Sequence, residues 1–565
     1  MKRQAFFIIY FTVCYFLVLA LPEVNGQISH GGQPLMNARD YTASKVLYVL
    51  PPEDSLLIDG LKKNLLQRTS KAQEFATIRP IDLSPESNGE WVEKDDMSIW
   101  RVHIISPNAY SIGLLFSEYN LSDDARLFVY DPDGAHVKGG FTAENDKDYG
   151  TFYIGHVPGD EIVVELQVAN PFRDYGKLRI SNLSHAFLPV FSGTKNANDQ
   201  GLGTSQECEI DVNCIEGEDW QIVKRAVCLI STPQVYCTGT LINNTSYNGK
   251  PYVLTAEHCI NKDFSARNSI FYFDYENSKC FVNDALPGMS VSGSTLLSTG
   301  DSLDFSLVNL SARPPHSYNV YYAGWDIRTL HYGSSYALHF PNGDAMKLSI
   351  DEDHTSDAKS LPGDLVDYVL ESNFHIKQWD LGTTEGGSSG CPLFNSSKRI
   401  IGILSGGLAS CGAAVGYDAE RDRIVYSKIE NTNDYFSKLS FDWDYYSEAD
   451  KQLKKWLDPI NTGHKSIGGL NNATLGLAMQ LSDARKCMIF PNPVSVSEEA
   501  QIALPEYTGD PLTITVYNIT GAIENIIYTR SEYPVTISFK GISPGLYILR
   551  MESESAYYTN QVLVR

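Results

Sequence analysis

Three short stretches of the sequence carry side-chain types that could act together in nucleophilic catalysis. They are VLTAEHC with His258, DSLDFSLVNL with Asp304, and TEGGSSGCPLF with the adjacent serines Ser388 and Ser389. A serine hydroxyl becomes a good nucleophile only when a histidine takes its proton and a carboxylate holds that histidine in the required tautomer. Singly, the stretches are typical of a packed or surface histidine, a turn aspartate and a flexible Gly/Ser loop. Together, in the order His, Asp, Ser and each beside a β-rich segment, they favour a catalytic triad.

The composition limits what the surrounding elements can be. With 565 residues, of which 43% are hydrophobic, the chain is too long for one core, and we expect three or four globular units. Its formal net charge of -23 argues against a nucleic-acid partner, because phosphate binding requires a basic surface. Abundant Tyr and Gly indicate β structure and turns.

The N-terminus is typical of a secretory signal peptide over residues 1–26. Lys2 and Arg3 precede a long apolar run, and the small residues Val24 and Gly26 stand before a predicted cut near Gln27. A membrane anchor is the alternative interpretation. No later apolar run is long enough to span a bilayer, so we expect export and no transmembrane segment after signal removal.

The cysteine distribution indicates one disulfide-bonded domain flanked by others. Cys14 lies in the signal peptide, Cys487 stands alone near the C-terminal end, and none occurs between Gln27 and Glu207. An exported chain retains disulfides, so the remaining eight define a compact oxidised region. These eight are Cys208, Cys214, Cys228, Cys237, Cys259, Cys280, Cys391 and Cys411.

Local patterns divide the rest of the chain. Residues 27–190 are rich in strand signals such as EIVVELQV, and residues 191–207 form a polar linker whose one basic residue is Lys195. Residues 208–470 hold the three stretches and the eight cysteines. A second linker covers residues 471–487. The last unit, residues 488–565, contains several predicted strands and no helix signal, which predicts a small β-sandwich.

The same stretches resemble known serine peptidases. TAEHC, DFSLV and GGSSGCP are similar to trypsin-like enzymes, and the resemblance to bacterial lysyl endopeptidases is closer, carried by CEIDVNC, EGEDWQIVKRAV, CTGTLINNT, AGWD and WLDPINTG. It implies a mostly β chain with a chymotrypsin-like double β-barrel, flanked by an N-terminal β-sandwich prodomain and a C-terminal β-sandwich sorting domain. It also implies a secreted, monomeric serine endopeptidase that acts on protein or peptide substrates without a metal or other cofactor.

Carried onto this sequence, the resemblance makes His258 the general base, Asp304 its orienting partner and Ser389 the nucleophile. Ser389 precedes Gly390 in the Gly-x-Ser-Gly frame, and the neighbouring serine does not. The backbone N–H groups of Gly387 and Ser389 would then form the oxyanion hole. The end of the predicted strand RIIGILSGG would line the bound substrate through the backbone of Ser405, Gly406 and Gly407.

The resemblance also implies three disulfides, Cys208–Cys411, Cys214–Cys280 and Cys237–Cys259. Cys228 and Cys391 stand where the family has no cysteine. By elimination they would form a fourth disulfide, Cys228–Cys391, and the alternative is two free thiols. A nucleophilic role for Cys391 is disfavoured, because the oxyanion frame is built around the serine.

The residue that selects the substrate is not defined by the sequence. Trypsin-like enzymes have an aspartate six residues before the nucleophile, and here that position is Thr383. Lysyl endopeptidases place theirs on a later loop, and the stretch GYDAERDRIVYSK offers three candidates, Asp418, Glu420 and Asp422. A buried carboxylate would favour cleavage after Lys or Arg. An inward-pointing Arg421 or Arg423 would instead favour an acidic side chain. Trp379 is either a tryptophan near the active site or a core aromatic.

The flanking units also resemble known modules. The first resembles the family's propeptide, which would assist folding and block the site until it is cut, and Lys195 would be the self-processing site. The last, with FPNPV, ISPGLYILRM and QVLVR, resembles the sorting domain of the type IX secretion system. That implies a secretion-machinery partner and a location outside the cell or on the outer membrane of a Gram-negative bacterium. The alternatives are a carbohydrate- or cell-binding β-module and, for the whole chain, a non-enzymatic peptidase-fold adhesin.

Overall fold

The computed structural model describes residues 29–35, 47–65, 72–94, 96–169, 173–189, 205–286, 288–418, 423–428, 432–472, 485–486, 488–496, 498–504, 513–518, 523–524, 527–529, 535–552 and 557–565. Over these ranges the chain is mostly β, as the sequence predicts. No helix among them is long and apolar enough to cross a membrane.

The N-terminal unit is a β-sandwich. One sheet has the order β1-β5-β10-β7-β8, with β4 also on β5, and the other has the order β3-β11-β6-β9. The two sheets share a core in which Trp100, Leu127 and Leu166 of the first meet Leu114 and Ile180 of the second. The elements are β1 (Leu47–Val49), α1 (Ser55–Leu65), β2 (Gln73–Glu74), β3 (Ala76–Leu83), β4 (Glu90–Lys94), β5 (Met97–Ile105), β6 (Ser111–Leu121), β7 (Ala125–Tyr130), β8 (Val137–Phe141), β9 (Phe152–Pro158), β10 (Glu161–Val168) and β11 (Gly176–Ala186).

The next strands close into a first barrel. The sheet order is β17-β16-β13-β14-β15-β19-β18, with every pair antiparallel. Gly293, with φ +77°, separates β17 from β18, so one bent strand pairs with β16 through its first half and with β19 through its second. The elements of this part of the chain are β12 (Ile210–Asp211), which belongs to the second sheet, β13 (Val227–Ser231), β14 (Val235–Leu241), β15 (Tyr252–Thr255), α2 (Asp263–Arg267), β16 (Ile270–Phe273), β17 (Met289–Ser292), β18 (Ser294–Gly300) and β19 (Phe305–Leu310).

A second sheet of ten strands forms the other half of the double barrel. Its main order is β12-β23-β22-β26-β27-β30-β25-β24, and β21 and β31 join it beside β27. The elements are β20 (Tyr321–Tyr322), β21 (Trp325–Asp326), β22 (Ser335–His339), β23 (Lys347–Asp351), β24 (Ser356–Asp357), β25 (Asn373–Ile376), β26 (Pro392–Asn395), β27 (Ile400–Gly407), β28 (Ala414–Asp418), β29 (Arg423–Tyr426), β30 (Asp434–Lys438), α3 (Leu439–Asp442), α4 (Lys454–Leu457), β31 (Ser466–Ile467) and β32 (Leu470–Asn471). Strands β28 and β29 form a separate hairpin, and β20 pairs with β32.

The C-terminal strands form a second, smaller sandwich. Its sheets have the orders β33-β41-β40-β36-β37 and β34-β35-β39-β38. Ile502 and Ile537 of one sheet pack with Val516, Leu549 and Val562 of the other. The strands are β33 (Arg485–Lys486), β34 (Met488–Phe490), β35 (Glu499–Ala503), β36 (Thr513–Asn518), β37 (Ile523–Glu524), β38 (Ile527–Thr529), β39 (Val535–Ser538), β40 (Gly545–Glu552) and β41 (Tyr557–Val564).

Candidate active site

The three residues of the predicted triad lie in loops that meet where the two barrels touch. His258 follows β15 and Asp304 directly precedes β19, so both belong to the first barrel, where β15 and β19 are paired neighbours. Ser389 precedes β26 of the second barrel. Its loop docks on the first barrel through β14, because the Thr238 N–H donates to the Ser389 carbonyl at 2.8 Å. Packing of the two barrels therefore brings the predicted nucleophile to the predicted base.

Hydrogen bonds connect the three side chains in series. Nδ1 of His258 lies 2.9 Å and 3.0 Å from the two carboxylate oxygens of Asp304, and its Nε2 lies 2.7 Å from Oγ of Ser389. The backbone N–H of His258 also donates to Asp304, at 3.1 Å. Asp304 is fully buried, whereas the His258 side chain keeps 17% of its surface exposed. A carboxylate at Nδ1 fixes the tautomer in which Nε2 can accept the serine proton.

The neighbouring serine has a supporting position. Oγ of Ser388 lies 2.8 Å from Nδ1 of His339 and accepts a hydrogen bond from the Glu385 N–H at 3.1 Å. Nε2 of His339 lies 3.0 Å from Oγ of Ser349 on β23, and all of these groups are buried. Ser388 therefore ties the loop to the second barrel while Ser389 faces His258. His339 was not predicted from the sequence, because it ends β22 and belongs to no motif.

Residues 384–391 precede β26 and are called the nucleophile loop, because they include the predicted nucleophile Ser389. The glycines of this loop have conformations and contacts that a side chain would disturb. Gly387 has φ +91° and Gly390 has φ +77°. A Cβ at Gly390 would lie 2.6 Å from the Thr238 carbonyl oxygen. Within the described part of the chain, the N–H groups of Gly387 and Ser389 donate to no protein acceptor. Both groups are thus available to a developing oxyanion.

A buried acid that the sequence analysis missed, Asp434, lies next to this loop. Its Oδ2 accepts hydrogen bonds from Nε1 of Trp379 and Oγ1 of Thr384, each at 2.7 Å. Asp434 begins β30 and is paired in register with Gly407 at the end of β27. A Cβ on Gly407 would lie 2.1 Å from the other Asp434 oxygen, so the glycine leaves room for the carboxylate. Extending the search from GYDAERDRIVYSK to the acid at the start of the next strand would have identified it.

The residues predicted to line the specificity pocket lie partly in the second barrel and partly on the separate hairpin. Ser405, Gly406 and Gly407 end β27 and are buried, whereas Asp418 ends β28 on the separate hairpin. The guanidinium of Arg423 pairs with Glu216 at 2.9 Å. Trp379 is 6% exposed and packs edge-on against Phe436, so it is a core aromatic whose indole N–H also contacts the buried acid. The predicted residues Glu420, Asp422, Arg421, Gly26 and Lys195 lie outside the described residues.

The three disulfides implied by the resemblance are present, and the fourth prediction is wrong. The structure contains Cys208–Cys411, Cys214–Cys280 and Cys237–Cys259, the last of which braces the loop of His258. Cys228 and Cys391 are free and buried. Cys228 packs in a large core cluster with Leu229 and Leu254, whereas Cys391 packs in a separate cluster with Leu393 and Phe436, so the two thiols enter different clusters. Burial raises the pKa of both thiols, which disfavours thiolate chemistry. The other two cysteines, Cys14 and Cys487, lie outside the described residues.

Two buried glutamates, Glu209 and Glu385, connect the nucleophile loop to the segment 205–209. Glu385 accepts hydrogen bonds from the Gln206 N–H and from Nδ2 of Asn342, each at 2.7 Å. Burial, reinforced by the Glu385 carboxylate, raises the pKa of Glu209 well above its ordinary value. Segment 205–209 is thereby attached to the loop that holds the serine. Neither glutamate was predicted from the sequence, since both stand in polar stretches without periodicity.

Comparisons with known sequences identify two regions. Residues 202–422 match the family described as lysyl endopeptidase, C-terminal domain, and residues 488–565 match the secretion system C-terminal sorting domain. The lysyl endopeptidase of Pseudomonas aeruginosa is 27% identical over 302 residues, which are 50% of this chain and 60% of that protein. The chain thus spans less than two thirds of that relative. It resembles the trypsin-like lysyl endopeptidases and carries a sorting domain typical of proteins secreted or displayed by Gram-negative bacteria.

Solved structures with detectable similarity include two peptidases. A Glu endopeptidase in complex with MPD shares 14% identity, with a TM-score of 0.23 over 42% of this chain and 92% of its own. Kallikrein-related peptidase 10 shares 13% identity, with a TM-score of 0.26 over 43% of this chain and 97% of its own. Because these scores are low, the double-barrel fold is assigned from the sheets of this chain itself.

Proposed function

We propose that this chain is a secreted serine endopeptidase that cleaves peptide bonds after lysine or arginine. The observation that carries the proposal is the series Asp304–His258–Ser389, with contacts of 2.9 Å and 2.7 Å. The match to lysyl endopeptidases supports the same reaction class. Residues 208–470 would be the peptidase domain, after a prodomain at 27–190 and before a sorting domain at 488–565.

The geometry supports an acyl-enzyme route. Oγ of Ser389 attacks the carbonyl carbon while Nε2 of His258 takes its proton, and Asp304 balances the imidazolium charge. The N–H groups of Gly387 and Ser389 bind the oxyanion of the tetrahedral intermediate. His258 then donates its proton to the leaving amine, and the acyl-enzyme is hydrolysed by a water that His258 deprotonates.

Asp434 supports selection of a basic side chain. Its carboxylate is buried, hydrogen-bonded to the neutral donors Trp379 and Thr384, and close to Gly407. A Lys or Arg side chain that reached it would gain a charge-assisted hydrogen bond away from water, which gives strong discrimination against neutral side chains. The pairing of Arg423 with Glu216 weakens the alternative of an acidic substrate residue.

The experiment is digestion of a peptide library with the processed protein, followed by sequencing of the new termini. Cleavage after Lys or Arg is expected, and Ser389→Ala should abolish it. Ser388→Ala is the matched control, because it alters the same loop but keeps the serine that contacts His258, so measurable activity should remain. Equal cleavage by Ser389→Ala, or cleavage after acidic residues, would contradict the proposal. A folded protein that cleaves nothing would favour the non-enzymatic adhesin.

Maturation in cis would use the same site. If the pocket takes lysine, the linker residue Lys195 is the proposed position of the self-processing cut. Expressed alone, the Ser389→Ala chain should keep its N-terminal unit attached, which intact-mass measurement detects. Maturation of that variant without added peptidase would exclude self-processing and leave the proposed hydrolysis itself untouched.

A further inference from the structure

A short segment that precedes β3 of the N-terminal sandwich is added as a strand to the edge of the first barrel. Strand β2 pairs antiparallel with β14, so that Gln73 lies opposite Tyr236 and Glu74 opposite Val235. The pairing continues beyond β2, because the Phe75 N–H donates to the Gln234 carbonyl at 3.0 Å. The backbone of this segment thus binds the barrel in the way an extended peptide binds an open sheet edge.

This edge is next to the candidate active site. From Tyr236, β14 continues to Cys237, which is bonded to Cys259 beside His258 in the sequence, and then to Thr238, whose N–H donates to the Ser389 carbonyl. The Gln73 side chain extends to the nucleophile loop. A Cβ on Gly386 would lie only 2.1 Å from Oε1 of Gln73. Segment 72–76 therefore lies beside the loop that holds Ser389, on the strand that leads to the disulfide next to His258.

An aromatic contact anchors the segment. Phe75 is 1% exposed, and its ring stacks on Tyr236 with centroids 4.1 Å apart and planes 12° apart. On the sandwich side, the Phe187 N–H donates to the Phe75 carbonyl at 2.8 Å, and the ring of His156 packs edge-on at 5.1 Å. Phe75 is consequently shared between the cores of two units, and its loss should weaken the strand contact more than the sandwich.

We propose that residues 72–76 occupy the part of the cleft that binds the leaving-group side of a peptide substrate, so that the attached N-terminal unit competes with substrate. This inference rests on the proposed peptidase function. The pocket residues Asp434 and Gly407 belong to the second barrel, where the acyl side would bind. Strand β14 belongs to the first barrel and adjoins the loop of His258, which protonates the leaving amine. One edge cannot pair with two strands, so the leaving-group side of a substrate must displace this segment.

The sequence at this position agrees with the proposed direction of binding. Segment 72–76 directly follows Lys71 in the chain, and lysine is the residue type proposed for the specificity pocket. Ala72 and Gln73 therefore have the sequence positions that would follow a scissile bond after Lys71.

The test compares two substrates on full-length chains that carry Lys195→Ala, so that the N-terminal unit stays attached, and whose intact mass is confirmed before and after the assay. One is a lysyl anilide without amino acids after the scissile bond, and the other is a peptide with four residues after its lysine. Phe75→Ala should raise kcat/KM for the long peptide about tenfold or more, and less for the anilide, because it increases the fraction of chains with an open edge. Gln73→Ala, which leaves the sandwich core intact, should act in the same direction.

Phe116→Ala is the matched control, since Phe116 is equally buried in the N-terminal sandwich but belongs to the cluster that does not include the barrel. It should leave the ratio of the two kcat/KM values unchanged. Activity that is the same in wild type, Phe75→Ala and Gln73→Ala, or an equal rise in Phe116→Ala, would overturn the inference while leaving the peptidase proposal standing. Hydrolysis of neither substrate by any chain would contradict the proposed function itself.

Discussion

Oγ of Ser389 lies 2.7 Å from Nε2 of His258, although the two residues are 131 positions apart in the chain and belong to different barrels. The contact exists only when both barrels are folded and packed. The Thr238 N–H donates to the Ser389 carbonyl at 2.8 Å and so fixes the loop of the serine. On the opposite side of the imidazole, a carboxylate oxygen of Asp304 lies 2.9 Å from Nδ1 of His258. Changes that leave this packing intact should therefore separate chemical roles from structural ones.

Asp304→Asn should lower kcat/KM by about four orders of magnitude, because an amide no longer enforces the tautomer in which Nε2 accepts the serine proton. Steady-state hydrolysis of a lysyl peptide measures the effect. Asp301→Asn is the control, since that side chain lies on the exposed side of the same turn and bonds the Ser302 N–H. A loss smaller than about tenfold in Asp304→Asn would exclude the assigned role.

Asp434→Asn should reduce the preference for a lysyl over a leucyl peptide by at least about 100-fold, because the buried carboxylate no longer offers a charge to the ammonium. The measurement is the ratio of the two kcat/KM values. Asp418→Asn is the matched control, since it removes one acid from the hairpin β28–β29. The pocket assignment is wrong if Asp418→Asn changes the ratio and Asp434→Asn does not.

Cys228 and Cys391 should remain thiols in the secreted protein. Burial raises the pKa of each, so iodoacetamide should alkylate neither in the folded protein and both after denaturation without reductant. Peptide mapping by mass spectrometry gives the result. Recovery of a Cys228–Cys391 peptide pair would contradict the separation of the two cores, and Cys391→Ala should retain activity.

Stability should depend on pH through Glu209. Burial raises its pKa above the ordinary value of 4.5, so above that pH the unfolded chain releases a proton that the folded chain keeps. The resulting stabilisation of the folded state is fully present below pH 4.5, and it is lost as the pH rises through the raised pKa of Glu209. Glu209→Gln should therefore have a higher Tm than its parent at about pH 7.5, and the two Tm values should differ little at about pH 4.

Thermal unfolding in a Ser389→Ala background avoids self-digestion in this comparison. Glu207→Gln, at an exposed side chain two positions earlier, should show no difference that grows with pH. A Tm difference between Glu209→Gln and its parent that shrinks as the pH rises would contradict the assigned direction.

Much of the site was predictable because its chemistry is local in sequence. The stretches that carry His258, Asp304 and Ser389 are each short, and their order together with the family resemblance predicted both the triad and the double barrel around it. The strand order, by contrast, could not be derived from local patterns. Asp434 was missed because it acts from the start of a strand that follows the separate hairpin, and its importance appears only when β30 pairs with β27 beside the serine loop.

The cysteines show the same limit. The pairs Cys208–Cys411, Cys214–Cys280 and Cys237–Cys259 came from resemblance, whereas the pair Cys228–Cys391 came from counting. Counting carries no information about which core a side chain enters, and these two enter different ones. The contact of Phe75 with Tyr236 likewise has no signal in the sequence, because it joins two residues of different units that are separated by more than 150 residues of chain.

The most direct measurement is reaction of the folded full-length protein with a small fluorophosphonate, followed by mass-spectrometric location of the adduct. An activated serine reacts with this probe even without a recognised substrate residue. One adduct on Ser389 is expected, and it should be absent from Ser389→Ala and from His258→Ala. A folded protein that remains unlabelled, or one labelled at Ser388 instead, would contradict the assignment of this site as a serine peptidase centre.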